Sequence, residues 1–390
     1  MRCSNIYWNR AEHLGKETEV NIAISIKDSV LDSLIIDNDE TNHFSLQFEN
    51  TTINNLFLKG FFSEKSEFNF RRCEFSEKIN FTYSNFTNPI YFVESKFHRP
   101  VSFVASTFTN SIYFNLSTFL STLEFKDCKF KDKVSLQDIN FAGDYNSSDT
   151  LFSSQNCQFE DEVDLSIGKV DNSLQEFRVS FNESIFDRRL KFHLLDDSQY
   201  DRLVLGLRMV DINSFVCEDK DITKVKLEVE YTYHKEVKDA LEEVIQEKRI
   251  WRSILDNLHW GDEADQVYAD IMDKQLDLKY FEQNTWWGKV RLQIWDYFIY
   301  KICFGWGVRI FNPIIAGVAS VIVFALLYST LNQNYDIPHN LEVSVRNLFF
   351  GDLDSNASGL IRLVSTIQGV WGIAYVTTLI AIISRKFMRL

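Results

Sequence analysis

Residues 79–144 read INFTYSNFTNP, IYFVESKFHRP, VSFVASTFTNS, IYFNLSTFLST, LEFKDCKFKDK and VSLQDINFAGD, which are consecutive units of eleven residues. A similar unit, FNFRRCEFSEK, begins upstream at Phe68, and another, VSFNESIFDRR, begins downstream at Val179. Within these units Phe recurs at spacings that alternate between five and six residues. Neither the period of an α-helix nor that of a single strand gives this alternation. The spacing therefore predicts a chain that turns a corner every five or six residues.

The aromatic positions of the repeat are predicted to stack on one another in successive coils and to form its core. A small residue lies between the two Phe of each unit, where it leaves room for the backbone to turn inward. The aromatic residues are Phe70, Phe75, Phe81, Phe86, Phe92, Phe97, Phe103, Phe108, Phe114, Phe119, Phe125 and Phe130, and the small residues are Cys73, Ser84, Ser95, Ser106, Ser117 and Cys128. We expect the two cysteines to be packed, unreactive thiols.

These units resemble the pentapeptide-repeat family over roughly residues 44–192, in a Phe-rich variant with a one-residue insertion in alternate copies. The resemblance implies a right-handed, quadrilateral β-helix with two eleven-residue units per coil. At a strand spacing of roughly 4.8 Å, about seven coils would form a rod of roughly 33 Å. We assign residues 1–43 to an N-terminal segment and residues 44–200 to the β-helix.

Composition and motifs argue against an enzyme. The net charge of the 390 residues is −14, which disfavours a non-specific nucleic-acid binder because phosphate contacts need a basic surface. The six cysteines show no CxxC spacing, and the histidines show no HExxH. No GxSxG, Walker loop or GxGxxG is present either. We therefore predict no catalytic site, no metal site, no cofactor and no nucleic-acid partner. The N-terminus has no apolar signal-peptide core, so we expect the β-helix to be cytosolic.

A helical pattern replaces the repeat after about Val229. Apolar residues then recur at three- and four-residue steps up to Leu258, and a second series runs from Ala264 to Leu278. Together they predict an antiparallel helical pair, the linker of residues 221–283. Residues 284–310 follow with Trp286, Trp287, Trp295 and Trp306 among Lys and Arg, which is typical of a helix in the membrane interface.

The segment 311–390 is predicted to be an all-α membrane domain with two spans. Residues 311–331 and 363–384 carry no charge and are long enough to cross a bilayer. Basic residues lie outside these spans at both ends of the domain: Lys289, Arg291, Lys301, Arg309, Arg385, Lys386 and Arg389. The positive-inside rule then places both termini in the cytosol. We predict a multi-pass protein of the bacterial inner membrane.

The C-terminal third also resembles a known family. GWGVRIFNPIIAGVASVIVFALLY and IQGVWGIAYVTTLIAIISRKFMR are similar to the two helices of bacterial, potassium-channel-like domains that are fused to pentapeptide repeats. The resemblance implies a homo-oligomer, a tetramer, with a re-entrant pore loop between the spans. It also places a degenerate selectivity filter at Arg346, Asn347, Leu348, Phe349, Phe350, Gly351 and Asp352, with Asp354 at the outer mouth.

Two details of this domain bear on ion choice. Phe349 replaces a filter Gly, and a Phe fits poorly where successive backbone carbonyls must line the ion path. Weak discrimination between potassium and sodium is the expected result, with Arg346 paired to Asp352. Four residues of the second span are predicted to line the pore, because polar groups inside a membrane usually face a pore or a partner helix: Ser365, Gln368, Gly372 and Tyr375. Tight helix packing is the alternative for Gly369 and Gly372.

The leading hypothesis is thus a weakly selective pore for monovalent cations, gated by a cytosolic β-helix that senses an unidentified protein or ligand, with a role in bacterial defence against phage. The alternative is a membrane-anchored pentapeptide-repeat scaffold that binds a protein partner without conducting ions. A third class, an acidic DNA mimic that inhibits gyrase, would leave two membrane spans without a purpose.

Overall fold

The computed structural model describes residues 2–9, 20–38, 42–62, 65–77, 79–143, 145, 149–170, 176–194, 202–217, 225–227, 238–303, 305–308, 311–332, 336–350 and 359–387. The chain divides into two compact units. The first comprises residues 1–235 and 246–258, and the second comprises residues 236–245 and 259–390.

The first unit is a β-solenoid in which every described strand pairs in parallel with a strand of an adjacent coil. Its strands are β1 (Arg2–Asn9), β2 (Val20–Lys27), β3 (Val30–Asn38), β4 (Asn42–Glu49), β5 (Thr52–Phe62), β6 (Glu67–Arg71), β7 (Glu74–Phe75), β8 (Ile79–Phe86), β9 (Ile90–Val93), β10 (Lys96–Phe97), β11 (Val101–Val104), β12 (Thr107–Phe108), β13 (Ile112–Tyr113), β14 (Thr118–Phe119), β15 (Leu123–Lys126), β16 (Lys129–Phe130), β17 (Val134–Phe141), β18 (Thr150–Gln155), β19 (Gln158–Phe159), β20 (Val163–Val170), β21 (Glu176–Ser180), β22 (Ile185–Leu194), β23 (Arg202–Gly206), β24 (Asp211–Cys217) and β25 (Val225–Leu227).

The strand register gives the length of one coil. Phe81 lies opposite Phe103 in the next coil, and Phe103 lies opposite Phe125. Each coil therefore takes two eleven-residue units, as the resemblance to pentapeptide repeats implies. The same parallel pairing continues outside residues 44–200: β1 pairs with β3 on the N-terminal side, and β23 pairs with β25 on the C-terminal side.

The predicted Phe ladders are present in the solenoid core. All twelve predicted aromatic residues are buried. Their rings stack face to face between coils, with centroids 4.6 Å apart for Phe81 and Phe103 and 4.8 Å apart for Phe97 and Phe119. Rings on neighbouring sides of one coil meet edge to face, as Phe103 and Phe108 do at 5.6 Å. The core is therefore a continuous array of stacked and edge-on aromatic contacts.

The small residues between the Phe also bridge the coils by hydrogen bonds. The Ser95 hydroxyl donates to the Phe70 carbonyl at 3.2 Å and accepts from the Cys73 amide at 3.2 Å. The Ser117 hydroxyl repeats both contacts one coil later. Because these groups are buried, a small residue without a polar side-chain atom would leave a backbone amide and carbonyl with fewer partners.

The corners of the solenoid use left-handed backbone at residues that are not glycine. Arg72, Tyr83, Glu94, Ala105 and Leu116 each have φ between 49° and 60° and directly precede a small residue of the core. This left-handed backbone conformation is energetically unfavourable for residues other than glycine. Hydrogen bonds between coils offset the cost, as in the contact from the Glu94 amide to the Asn115 carbonyl at 2.9 Å.

Residues 246–258, in helix α1 (Lys238–Asn257), belong to the solenoid unit. The Leu207 amide donates to the Glu247 carboxylate at 2.6 Å, and both residues are buried. Trp251, Ile254 and Leu255 of the same helix are buried as well. This helix segment therefore packs with the C-terminal part of the repeat.

The second unit is helical. Helix α2 (Gly261–Glu282) follows α1, and Lys238 pairs with Glu282 at 2.8 Å. Next come α3 (Trp286–Leu292), a π-helical segment (Gln293–Cys303) and a short 3-10 turn (Gly305–Gly307). The chain ends in α4 (Phe311–Asn332), α5 (Ile337–Phe350) and α6 (Gly359–Phe387).

Candidate functional site

Two of these helices are long and apolar enough to cross a membrane. They are the segments Phe311–Leu331 of α4, with a mean hydropathy of 2.3, and Gly359–Ser384 of α6, with a mean hydropathy of 1.6. Within the most apolar 18 residues of each segment, only 28% and 22% are buried within the chain. A core helix of a soluble protein would be mostly buried, so their exposed apolar surface favours contact with lipid or with other chains.

Helix α5 packs between the middles of these two apolar helices. The Ser344 hydroxyl donates to the carbonyl of Val321, halfway along α4, at 2.9 Å. On the other side, the Leu348 carbonyl lies against Gly372, halfway along α6, so closely that a side chain at position 372 would collide with it. Glycine at this position is therefore required for the close approach of α5 and α6.

Tyr375 fills the space one turn further along α6. Its ring lies against Gly317 of α4, where an added Cβ would meet the hydroxyl at 2.5 Å. The same ring meets Phe349 of α5 edge to face, with centroids 6.4 Å apart. Tyr375 also joins Cys303, Val321 and Leu348 in one buried apolar cluster. The packing thus brings all three helices and the π-helical segment together.

A buried hydrogen-bond cluster joins the same three helices beside this contact. The Tyr328 hydroxyl donates to Gln368 Oε1 at 2.8 Å. Gln368 Nε2 donates to the Ser344 carbonyl at 2.9 Å and to the Ser344 hydroxyl at 2.7 Å. Asn347 Nδ2 donates to Tyr328 at 2.9 Å and to Ser365 Oγ at 2.7 Å. We call these five residues the polar cluster; all of them are buried in a largely apolar surrounding.

The structure places the predicted second-span residues against helices of the same chain. Ser365, Gln368, Gly372 and Tyr375 form one face of α6, and this face packs on α5 and α4.

The predicted filter residues are only partly described. Arg346, Asn347, Leu348, Phe349 and Phe350 form the last part of helix α5, so their backbone is helical. Within it Asn347 and Leu348 are buried, whereas Phe349 and Phe350 are exposed. Three further predicted residues, Gly351, Asp352 and Asp354, lie outside the described residues, as does the predicted pairing of Arg346 with Asp352.

Two members of the polar cluster are not among the residues singled out from the sequence. Tyr328 and Ser344 contribute as much to the cluster as Gln368 and Asn347 do. The available signal was a polar side chain within each segment: Tyr328 lies in the apolar run FALLYSTL, and Ser344 lies in the segment that joins the spans. Their partners depend on which helix faces meet, and the sequence alone does not fix this.

The opposite face of α5 carries charge. Arg346 pairs with Glu342 one turn earlier at 3.1 Å, and the two side chains are 61% and 59% exposed. Ser344, which contacts the middle of α4, lies between them in sequence. An exposed ion pair therefore lies at the level of the helix midpoints, beside surfaces that are otherwise apolar.

The segment predicted to lie in the membrane interface exposes aromatic side chains. Trp286, Trp287, Trp295 and Phe298 are all more than half exposed. Lys289 lies over the Tyr280 ring at 5.0 Å, and Lys301 lies over the Tyr297 ring at 5.3 Å. Exposed aromatic rings beside basic groups match the composition of membrane interfaces.

The described residues contain no group of three or more His, Cys, Asp or Glu that could bind a metal ion. In comparisons with known proteins, a family profile described as pentapeptide repeats (9 copies) matches residues 81–129. No curated protein and no solved structure matches the chain. The chain therefore contains pentapeptide repeats within a β-solenoid and carries two C-terminal helices that could span a membrane.

Proposed function

We propose that the protein is a membrane-embedded homo-oligomer, a tetramer, that conducts monovalent cations and is gated by its β-solenoid. The exposed Glu342–Arg346 ion pair carries this proposal, because it lies at the midpoint level of two apolar helices. An ionised side chain at the centre of a bilayer costs about 2.5–3.5 kcal/mol even on insertion scales. A lipid-facing position for this pair is therefore unfavourable.

The length of α5 supports an inward position. With 14 residues it extends roughly 21 Å, which is shorter than a hydrocarbon core of about 30 Å. Such a helix cannot cross a membrane, so it must be surrounded by protein or water and not by lipid. Copies of α5 arranged around a symmetry axis would surround a water-filled lumen with their charged faces, while α4 and α6 would face the lipid.

The same geometry bears on ion selectivity. Phe349 and Phe350 are helical, so they provide no extended stack of carbonyls to distinguish potassium from sodium. The positive charge of Arg346 is offset by Glu342 in the same helix. Asp352 and Asp354 follow α5 in sequence and would add negative charge at one mouth of the lumen. We expect a cation-permeable pore with weak discrimination between the two ions.

Charge substitutions in α5 test this proposal through the reversal potential of the reconstituted protein in a KCl gradient. Arg346→Gln removes the positive charge and should strengthen cation selectivity. Glu342→Gln leaves Arg346 without its partner and should shift the reversal potential toward chloride. Thr377→Val is the matched control, since Thr377 is exposed on α6 and bonds only the Ile373 carbonyl of its own helix. If wild type conducts and neither α5 variant shifts the potential, the lumen does not face this pair.

The orientation and location belong to the same proposal. Basic residues flank both spans on the side of the termini, which favours cytosolic N- and C-termini in the bacterial inner membrane. Reporter fusions at each terminus test this, and a periplasmic signal from either terminus would contradict it.

Opening of such a pore would depolarise the cell, which is the basis for the proposed role in defence against phage. A potential-sensitive dye in expressing cells measures that effect.

A further inference from the structure

Gln368 occupies the centre of the polar cluster. Its side chain is fully buried, and one amide group contacts two other helices. Both amide hydrogens reach Ser344 of α5, one at the backbone carbonyl and one at the hydroxyl. The amide oxygen accepts from Tyr328 of α4. A single residue of α6 thus sets the distance of α5 from both apolar helices.

The donor and acceptor roles of the groups in the polar cluster are largely fixed by one another. The Ser344 hydroxyl donates to Val321, so it can only accept from Gln368. The Tyr328 hydroxyl donates to Gln368, so it can only accept from Asn347. Both hydrogens of the Asn347 amide are used, and its Oδ1 atom is buried without a partner. The amide hydrogens of Gln368 and Asn347 and the hydroxyl hydrogens of Ser344 and Tyr328 therefore each have an assigned acceptor. A rotated or shifted α5 would leave several of these polar groups unpaired in an apolar surrounding.

We infer that Gln368 is a positioning residue for the pore: its amide fixes the rotation and depth of α5, and thereby directs the Glu342–Arg346 face toward the lumen. This inference rests on the proposed function. Ser344 and Arg346 are two residues apart on α5, so the face that Gln368 contacts and the charged face lie on different sides of one short helix. Loss of the hydrogen bonds from Gln368 would allow α5 to rotate and would move the Glu342–Arg346 face away from the lumen.

The test compares Gln368→Leu and Gln368→Glu with wild type. The leucine variant has a similar volume and removes all three hydrogen bonds. The glutamate variant keeps an acceptor for Tyr328 but loses the donation to the Ser344 carbonyl and hydroxyl when ionised. Thr366→Val is the matched control, because Thr366 is exposed on α6 and bonds only the Arg362 carbonyl. Tyr328→Phe, which removes a single hydroxyl, replaces the leucine variant if that variant does not assemble.

Two readouts on the full chain in lipid nanodiscs separate positioning from general stability. Hydrogen exchange of peptides that cover residues 337–350 should rise about tenfold in Gln368→Leu, as expected for the loss of buried hydrogen bonds, with no change in the solenoid peptides. The ratio of chloride to sodium permeability should change about twofold or more in the same variant. Thr366→Val should alter neither quantity.

The outcomes distinguish the inference from the proposed function. Wild-type conduction with unchanged α5 exchange and unchanged permeability in both Gln368 variants would overturn the positioning role of Gln368. A wild-type oligomer that does not conduct would overturn the proposed function itself. A change in α5 exchange without any change in permeability would also contradict the inference, since α5 would then be held by Gln368 without directing the charged face.

Discussion

Replacement of Phe103 by alanine tests the packing of the solenoid. The ring is fully buried and lies between Phe81, with centroids 4.6 Å apart, and Phe125, with centroids 5.1 Å apart. Edge contacts to Phe108 and Phe114 complete its surroundings. Buried Phe-to-Ala changes cost about 3–5 kcal/mol of unfolding free energy. We expect Phe103→Ala to fall in the upper half of that range.

The reason is that the site cannot collapse. Strand β11 is hydrogen-bonded in register to β8 on one side and to β15 on the other, so the backbone cannot move into the space left by the ring. The stacked contact with Phe81 and the tilted contact with Phe125 are lost as well, and an aromatic pair is worth about 0.5–1.5 kcal/mol. The cavity therefore persists, and its cost adds to the lost transfer free energy.

Urea unfolding of the fragment 1–258, followed by circular dichroism, measures the effect. Ser102→Ala is the control, since Ser102 is the neighbouring residue on the outward side of β11, and it should change the unfolding free energy by less than about 0.5 kcal/mol. A loss below about 1 kcal/mol for Phe103→Ala would refute the rigid aromatic ladder. Equal losses for the two variants would point to an effect of the strand and not of the ring.

Three other predictions concern the solenoid unit. Glu247→Ala should lower the unfolding free energy of the same fragment by about 1–3 kcal/mol, because the buried Leu207 amide loses its acceptor; an unchanged unfolding free energy would contradict that contact. Lys191, which donates to Glu162, lowers the pKa of that carboxyl below its ordinary 4.5, so its stabilisation is present above pH 4.5 and is lost as the pH falls through the folded pKa. Wild type should therefore be more stable than Glu162→Gln at pH 7 but not in strong acid. An unchanged stability difference in strong acid would contradict the lowered pKa of Glu162. Burial raises the pKa of the Cys73 thiol to about 11, so thiol reagents at pH 8 should label it only after unfolding.

The solenoid is largely predictable from the sequence because its core repeats. The alternating spacing predicts the corners, and the resemblance to pentapeptide repeats implies the coil of two units that stacks Phe103 on Phe81. The left-handed corners are less predictable, since Arg72 and Leu116 carry no glycine signal there. The bridging role of Ser95 is likewise hidden, because a small residue satisfies the spacing whether or not its hydroxyl bonds both coils.

The membrane unit is predictable only in outline. Apolar length identifies α4 and α6, and polar residues within them mark Gln368 and Ser365 as unusual. The three-helix cluster depends on the relative rotation of α4, α5 and α6, which no local pattern encodes. Distance along the chain alone allows Arg346 to pair with either Glu342 or Asp352, and the pair with Glu342 is favoured only once residues 342–346 are known to be helical.

Ion conduction by the assembled protein is the most direct test of the account. The purified oligomer is reconstituted into planar bilayers, and reversal potentials are recorded under bi-ionic potassium and sodium conditions and in a KCl gradient, with protein-free bilayers as the control. We predict discrete conductance that favours cations over chloride and distinguishes potassium from sodium only weakly. Strong potassium selectivity would contradict the inference from helical Phe349 and Phe350, and chloride selectivity would contradict the offset of Arg346 by Glu342. No conductance from a correctly assembled oligomer would contradict the pore and favour a membrane-anchored scaffold.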